Sequence, residues 1–530
     1  MNKKHFSLVL IVCLTILPLL NVDVQKLAFI NQQNNENAVL STKQGNPSHN
    51  VVLILLNSTL DGIITLTTFM NDIRNGLKCN VTKYAFPNNW TCTQLRSFLN
   101  STYQNLGLRG AILIGQAPSF IYNHTYNIGN LTHPNWVNYQ FPWDYYYMDL
   151  DGIYIDIDGD LIMDSMGGNN LPEIWVSRID ASQLAGNETV YYQDFFTRNH
   201  LVRNVGSRGP QRGLLWVDDT WGNNSGYSQI IDGWFGQLYP LANRTLYDQE
   251  SLTNRSTYLT NLSLNYEWLW TNIHSFADQH AFEENMGPGT YNYSTYTEIN
   301  QTQKNMTFYN LYTCTTGNFS TPNYLAGYYI FGNTNGQVSM ACARTGGFWF
   351  GTSTFFQQLS TGYCIGDAWR DMNWYGYNGL HGIYWQDTTE GCNLFGDPTL
   401  RNTKINTNIS IDYIPNVNQT DNVTITGSIL DDDLWYLYNV TLQFEVHNGT
   451  SWIILGNRST DNNGKAFYTL NVTGLPTGLR QVRVNYAGDP NFQAFSQTSS
   501  FNIIAAPPPS DDDGIDWNLI LLILLLILLG

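Results

Sequence analysis

Short, continuous apolar runs alternate with helical stretches up to about residue 400, and this alternation limits the possible folds more than any other feature. Val51–Leu56, Gly110–Gly115 and Gly213–Val217 are runs of this kind. Strands of a parallel sheet show such runs because helices cover both faces of the sheet. The pattern therefore predicts an α/β domain built on a parallel sheet.

Two of the apolar runs end in reactive side chains. Trp268–Ile273 is followed by His274, and Met306–Thr313 is followed by Cys314. In an open α/β sheet, ligands bind outside the carboxyl ends of the strands. If the two strands are neighbours, a base and a thiol lie side by side, as a cysteine nucleophile requires. On spacing alone, a buried structural cysteine and a surface histidine explain the pattern at least as well.

Length and charge narrow the class of protein. A chain of 530 residues is too long for a single core, so two or three domains are expected. The formal net charge is −17 and the pI is about 4.8, which argues against a nucleic-acid partner. An acidic surface of this kind suits an extracellular protein.

The N-terminal segment predicts export. Lys3 and Lys4 precede the apolar stretch Phe6–Leu20, so residues 1–25 are interpreted as a signal peptide. The polar residues 26–49 are expected to form a disordered linker. Asn-x-Ser/Thr sequons run through the remaining chain, for example at Asn57 and Asn448, which agrees with a glycoprotein.

The cysteine spacing leaves the disulfides open. Cys79 and Cys92 are close enough in sequence to pair in an oxidising compartment. If Cys314 is a nucleophile, an odd number of cysteines is left after the signal peptide, so at least one more thiol stays unpaired. The chain has no Cys-x-x-Cys, which makes a thiolate zinc site improbable.

An acid-rich stretch predicts a structural calcium site. Alternating carboxylates with glycine at the turns can converge on one hard cation. The stretch lacks the closing glutamate and the flanking helices of an EF-hand, and a solvated acidic turn is the alternative. The predicted calcium ligands are Asp149, Asp151, Asp156, Asp158 and Asp160.

The pattern of apolar and polar residues changes after residue 402. Short alternating runs separated by turn signals predict one immunoglobulin-like β-sandwich over residues 403–504. Residues 505–516 form a linker rich in proline and aspartate. Residues 517–530 are interpreted as a membrane anchor with Trp517 at the interface, although roughly 24 Å of helix is short for a 30 Å hydrocarbon core. A truncated end or a processed sorting signal is the alternative.

Residues 51–400 also resemble the gingipain-type cysteine peptidases. The resemblance is carried by four blocks in order: Gly110–Gly115, Asp144–Gly152, Pro172–Ile179, and Asn393–Leu400. It implies a caspase-like, parallel-sheet catalytic domain of two subdomains over residues 50–402. An immunoglobulin-like domain directly after that domain also fits the family.

The resemblance implies roles for three residues. Cys314 is similar to the family's nucleophile and His274 to its histidine. Ser275 stands where the family has a glycine whose backbone N–H binds the oxyanion, and serine still has that N–H. His280 is a second candidate base. Asp218 and Asp219 could orient the imidazole, bind a cation or simply cap a loop.

These observations predict a secreted, surface-tethered cysteine endopeptidase that cleaves peptide bonds of protein substrates through a Cys314–His274 dyad. The alternative is a non-catalytic cell-surface glycoprotein that uses the same fold for binding or structure. The serine at position 275 and the many sequons favour it, whereas the presence of both Cys314 and His274 argues against it. A glycan-active enzyme would need paired carboxylates in a cleft, and the Asp-x-Asp-Gly spacing suits a cation better.

Overall fold

The computed structural model describes residues 50–127, 136–204, 210–218, 221, 226–283, 291–345, 351–378, 390–432, 434–505 and 517–529. The predicted signal peptide, the linker 26–49, Asp219 and nearly all of the linker 505–516 lie outside these residues. The chain divides into two compact units. The first runs to Thr407 and includes Leu430–Tyr438 and Gly488–Gln493; the second comprises Asn408–Ile429, Asn439–Ala487 and Ala494–Gly530.

The bounds of the elements before residue 400 are as follows. The strands are β1 (Val51–Asn57), β2 (Asn80–Phe86), β3 (Leu108–Ile114), β4 (Ile121–Asn127), β5 (Trp136–Pro142), β6 (Ile153–Ile155), β7 (Ser165–Gly167), β8 (Trp175–Ile179), β9 (Gly213–Val217), β10 (Arg244–Tyr247), β11 (Trp268–Phe276), β12 (Gln279–Glu283), β13 (Tyr291–Thr295), β14 (Phe308–Thr313), β15 (Val338–Cys342) and β16 (Cys392–Gly396). The α-helices are α1 (Thr67–Leu77), α2 (Cys92–Leu106), α3 (Tyr145–Met148), α4 (Glu188–Asn204), α5 (Gly226–Phe235), α6 (Arg255–Asn261), α7 (Tyr296–Gln301), α8 (Leu325–Ile330), α9 (Thr352–Ser360) and α10 (Ile365–Asn378), and the 3₁₀ helices are Ser58–Leu60 and Leu241–Asn243.

Twelve of the described strands form one mixed sheet. The strand order is β10-β9-β11-β14-β15-β16-β8-β3-β1-β2, and the hairpin of β12 and β13 continues from β11. The pairs along this order are parallel except β15–β16, and the β12–β13 hairpin is also antiparallel. The prediction of a parallel sheet is therefore correct for most pairs and wrong for β16. An apolar run shows that a strand is buried on both faces, but it does not show the direction in which the strand pairs.

Apolar side chains cover the sheet on both faces. On β11, Trp268 and Trp270 pack into one hydrophobic cluster, together with Phe308 of β14. Leu269 and Ile273 pack into the other cluster. We call these face A and face B, respectively. Because successive side chains of a strand point to opposite faces, even-numbered residues of β11 lie on face A and odd-numbered ones on face B.

A buried ion pair lies near the junction of β8 with β16. Arg178 of β8 donates to Asp144 through Nε (2.9 Å) and Nη2 (2.6 Å), and both side chains are buried. The backbone N–H of Asp144 donates to Asn393 Oδ1 (2.8 Å). Ser177, another β8 residue, donates its hydroxyl to the Gly396 carbonyl (2.6 Å). Three of the four sequence blocks that resemble the gingipain type therefore meet through buried polar contacts.

One disulfide differs from the expected pairing. Cys342 and Cys392 are bonded to each other, whereas Cys79 and Cys92 are not in a disulfide. Cys342 and Cys392 are directly opposite on the antiparallel strands β15 and β16, so their Cβ atoms are already close. Proximity in sequence was therefore the wrong criterion, because sheet pairing brings together residues that are far apart in the chain.

Two further sheets follow residue 406. One has the order β17-β19-β22, comprising β17 (Thr407–Ile411), β19 (Asn422–Asp431) and β22 (Lys465–Asn471). The other has the order β18-β24-β23-β20-β21, comprising β18 (Val417–Asn418), β20 (Thr441–His447), β21 (Trp452–Ser459), β23 (Gly478–Tyr486) and β24 (Phe495–Ile504). Phe444 of β20 stacks on Tyr468 of β22 with ring centroids 5.7 Å apart, so apolar faces of the two sheets meet.

The last described element is an apolar helix, α11 (Trp517–Leu529). Its leucine and isoleucine side chains from Leu519 to Leu528 are largely exposed. Among the described residues, no helix combines the length and the apolar character that crossing a bilayer requires.

Candidate active site

The strands β11 and β14 place His274 and Cys314 next to each other. These strands are parallel neighbours, in register from Trp268 opposite Phe308 to Ile273 opposite Thr313. His274 and Cys314 each come one residue after the last pair, and adjacent strands lie about 4.8 Å apart. By the alternation of side chains, both belong to face A, and both are partly exposed. The register thus places the two residues at neighbouring positions on adjacent strands, at the carboxyl edge of the sheet.

The turn after Cys314 is fixed against β15. Thr315 N–H donates to the Arg344 carbonyl (2.9 Å), and Gly317 N–H donates to the Cys342 carbonyl (2.7 Å). Thr315 has φ = 58°, a left-handed conformation that a β-branched residue adopts only under strain. A Cβ atom on Gly317 would come within 2.5 Å of the Ala341 carbonyl oxygen, so the turn requires glycine there. These two bonds hold the strained turn that follows Cys314 against the end of β15 and the residues after it.

Aromatic rings and a carboxylate surround the His274 imidazole. The ring centroid of Trp221 lies 4.4 Å from that of His274, and that of Tyr291 lies 5.3 Å away. Burial lowers the pKa of His274 below its usual 6.5, while the carboxylate of Glu283 acts in the opposite direction. The imidazole is therefore mostly neutral near pH 7 and can accept a proton.

Substitution of Glu283 tests this electrostatic account. A carboxylate stabilises the imidazolium, so Glu283→Gln is expected to lower the pKa of His274 further. NMR titration of the His274 ring protons measures the change, with Glu250→Gln as a control that removes an exposed carboxylate after β10. An unchanged or raised pKa in Glu283→Gln would contradict the account.

Ser275 directs its side chain away from His274 and Cys314. Its Oγ lies 2.7 Å from His280 Nδ1 and donates to the Ile273 carbonyl at 3.2 Å, and these contacts lie on face B. The hydroxyl therefore does not occupy the space beside Cys314. A serine at this position leaves that space open while keeping its backbone N–H.

The other candidates near the dyad differ in exposure. His280 is fully buried on face B, and burial lowers its pKa to about 3, so it cannot serve as the base. Asp218 follows β9, the other neighbour of β11, and its N–H donates to the Asn272 carbonyl (2.9 Å). Its Oδ2 accepts a hydrogen bond from the backbone N–H of Glu283 (3.2 Å). Asp218 thus anchors the segment that carries Glu283.

Sequence reasoning missed three side chains around the dyad: Trp221, Glu283 and Tyr312. Tyr312 precedes Cys314 by two residues on face A, and its ring stacks on Trp270 with centroids 5.7 Å apart. Burial raises the pKa of Tyr312, a hydrogen bond with Tyr227 opposes the rise, and a negative charge on Cys314 adds to it. The alternation along β14 could have identified Tyr312, but no sequence signal points to Trp221 or Glu283.

The acid-rich stretch forms two groups of carboxylates instead of one. In each group the nearest carboxylate oxygens lie within 4.8 Å of one another. Burial raises the pKa of Asp149 and raises that of Glu173 to about 8. Asp160 belongs to neither group and accepts a hydrogen bond from Ile162 N–H (2.8 Å). The two groups are Asp149, Asp151 and Glu173, and Asp156, Asp158 and Asp164.

Comparison with known proteins finds structural similarity only. No family model and no curated protein sequence matches the chain. The crystal structure of the Arg-specific cysteine proteinase gingipain R is 12% identical, with a TM-score of 0.48, over 87% of this chain and 99% of that chain. The complex of the RgpB pro- and mature domains from Porphyromonas gingivalis is 11% identical, with a TM-score of 0.49, over 86% and 100%. Dimeric latent PorU from the same organism is 10% identical, with a TM-score of 0.27, over 90% and 45%.

Proposed function

We propose that the protein is a cysteine endopeptidase with a caspase-like catalytic domain over residues 50–402. The observation that carries the proposal is the position of His274 and Cys314, one residue beyond the last pair of two adjacent parallel strands and on the same face. A thiol beside a mostly neutral imidazole is the pairing that activates a cysteine nucleophile. Proteins or peptides are the substrates of such a site.

The residues present can carry out acyl transfer. The neutral imidazole of His274 takes the proton of the Cys314 thiol as the sulfur attacks the scissile carbonyl. The Ser275 N–H is our candidate donor to the oxyanion that forms on the carbonyl oxygen. The imidazolium then protonates the leaving amine, and His274 activates the water that hydrolyses the acyl-enzyme. Trp221 and Tyr291 flank the imidazole and limit its rotation through these steps.

Peptide cleavage tests the proposal. The purified protein is incubated with a peptide library of varied sequence, and the products are identified by mass spectrometry. We expect cleavage within the peptides by the wild type and none by His274→Ala. A folded wild-type protein that cleaves no peptide would favour the alternative of a non-catalytic surface glycoprotein.

We also propose a structural calcium ion bound by Asp156, Asp158 and Asp164. Three carboxylates in one exposed loop repel one another. A hydrogen bond from the Asp160 backbone N–H lowers the pKa of Asp158, but desolvation and the charges of Asp160, Asp164 and Asp156 together raise it above its usual value. A hard cation relieves this repulsion.

Thermal denaturation tests the calcium site. Calcium at about 100 times its Kd is expected to stabilise the wild type by about 2.7 kcal/mol. Asp158→Asn should lose most of this gain because it removes a ligand charge. Asp160→Asn is the matched control from the same loop, and it should keep the larger part of the gain because Asp160 lies outside the group of three carboxylates. An equal response of Asp158→Asn and Asp160→Asn would contradict this ligand set.

For location, we propose that residues 1–25 direct export and that residues 517–530 tether the protein to a membrane. We further propose that residues 403–504 form an immunoglobulin-like sandwich. The two facing sheets in this part of the chain support that proposal. The exposed apolar side chains of α11 support the tether, because such a helix is unstable in water. Fractionation of expressing cells, with a variant ending at residue 516 for comparison, tests the tether. A wild type released with the truncated variant would contradict it.

A further inference from the structure

A chain of buried hydrogen bonds extends from Ser275 into face B. Ser275 Oγ lies 2.7 Å from His280 Nδ1, and His280 Nε2 lies 2.8 Å from the hydroxyl of Tyr329. The Tyr329 hydroxyl in turn lies 2.6 Å from that of Tyr258. The chain links the end of β11 to the helices α8 and α6, which carry Tyr329 and Tyr258.

The surroundings of His280 keep its ring neutral and fixed. The side chain is fully buried, and the rings of Tyr258, Phe282 and Tyr329 surround it with centroids 5.6 to 6.2 Å away. A neutral imidazole has one donor and one acceptor nitrogen, and both nitrogens contact a hydroxyl here. Both ring nitrogens are thereby satisfied in a site that water does not reach. This arrangement suits a rigid support and is poorly suited to proton exchange.

The end of β11 needs such a support. Among the described pairs, β11 matches β9 only as far as Asn272 and β14 only as far as Ile273. Residues 274–276 pair with β12 alone, and Ser275 is directly opposite His280 in that pairing. The residues that carry the imidazole and the candidate oxyanion N–H therefore lie beyond the last pairs of β11 with β9 and β14. The contacts of Ser275 with His280 fasten them to the core.

We propose that Ser275, His280 and Tyr329 are positioning residues for the Cys314–His274 dyad. This inference rests on the proposed peptidase function. The network lies on the face opposite the dyad and acts through the β11 backbone, holding the imidazole in line with the thiol and the Ser275 N–H at the oxyanion. The serine side chain, which departs from the family's glycine, is thus a functional part of this site.

Substitutions that break the network test the proposal in the full-length protein. Ser275→Ala and Tyr329→Phe should each lower kcat for a cleaved peptide about tenfold, because a small displacement of reacting groups is costly. KM should change little, and Ser275→Thr should restore kcat because it keeps the hydroxyl. Tyr145→Phe is the matched control: it removes a buried hydroxyl that donates to the Asn170 carbonyl (2.6 Å), and it should leave kcat unchanged.

A double substitution tests whether the network acts as a unit. Ser275 and Tyr329 both contact His280, so Ser275→Ala with Tyr329→Phe should lower kcat hardly more than either single change. Reductions that multiply in the double variant would overturn the proposal. Network variants that are destabilised to the same degree as Tyr145→Phe but keep the wild-type kcat would also overturn the proposal.

A second readout separates this inference from the proposed function. The rate at which iodoacetamide alkylates Cys314, with Cys314→Ala as the blank, reports the coupling of the thiol to the imidazole without any peptide substrate. Network variants should shift the pH profile of alkylation, whereas Tyr145→Phe should not. A wild type that cleaves no peptide would defeat the peptidase proposal, and the alkylation profile would still decide the positioning role. Identical profiles in all variants would overturn that role.

Discussion

Replacement of Cys314 with alanine is expected to lower kcat by at least about 10⁴-fold, because it removes the nucleophile on which both chemical steps depend. Cys314 is partly exposed at the edge of the sheet, so the free energy of unfolding should change by less than about 1 kcal/mol. Peptide hydrolysis and chemical denaturation of the purified variant measure the two quantities.

His274→Ala should produce a loss of similar size, and the double variant should be hardly slower than Cys314→Ala alone. Groups that act as a unit in catalysis are strongly non-additive. Cys92→Ala is the matched control, because Cys92 is another partly exposed cysteine outside a disulfide. A loss of activity in Cys92→Ala comparable with that in Cys314→Ala would contradict the assignment of the nucleophile.

Arg178→Met is expected to destabilise the protein by about 3–5 kcal/mol, the cost of leaving a buried charge without its partner. The Asp144 carboxylate would lose both of its hydrogen bonds from Arg178 in a site closed to water. The guanidinium also lies 4.0 Å from the ring centroid of Phe319, so the substitution loosens the turn that follows Cys314. Urea denaturation measures the loss.

The matched variant for this pair is Arg178→Met with Asp144→Leu, which replaces both charges by apolar groups. Because apolar replacement of a buried ion pair is often neutral, the double variant should regain much of the lost stability. A double variant less stable than Arg178→Met alone would show that the destabilisation does not come from an unpaired Asp144.

Part of the candidate site follows from the sequence because strand ends and apolar runs are local features. The apolar run Trp268–Ile273 shows where the buried part of β11 ends, and His274 follows it at the edge of the sheet. The same holds for Cys314 after β14. The order of the strands is not local, so periodicity along the sequence does not show that these two strands are neighbours; their pairing does.

Other features could not be predicted because they depend on which segments meet in space. The Cys342–Cys392 bond requires that β16 pair antiparallel with β15. The apolar runs of these two strands do not show in which direction the strands pair. Glu283 acts on the pKa of His274 because both lie in the β11–β12 hairpin, whose pairing places His274 opposite Ala281. Strand alternation predicts the face on which Ser275 lies. It does not predict the partner of Ser275, because His280 lies across a hairpin turn.

The acidic stretch shows a related limit. Spacing of aspartates in sequence predicts that carboxylates can converge, but it does not determine which ones do. Glu173 and Asp164 join the two groups from outside the predicted ligand set, whereas Asp160 turns to cap the loop backbone. Backbone N–H groups of the loop compete with a cation for the same oxygens.

Covalent trapping of the nucleophile tests the central claim most directly. The full-length protein is treated with acyloxymethyl-ketone peptides that vary at P1, and the modified residue is identified by peptide mapping. We expect one adduct on Cys314 in the wild type, formed by at least one peptide, and no adduct in Cys314→Ala or after denaturation. A folded protein that no probe labels, or that is labelled equally in Cys314→Ala, would contradict a peptidase built on Cys314 and His274.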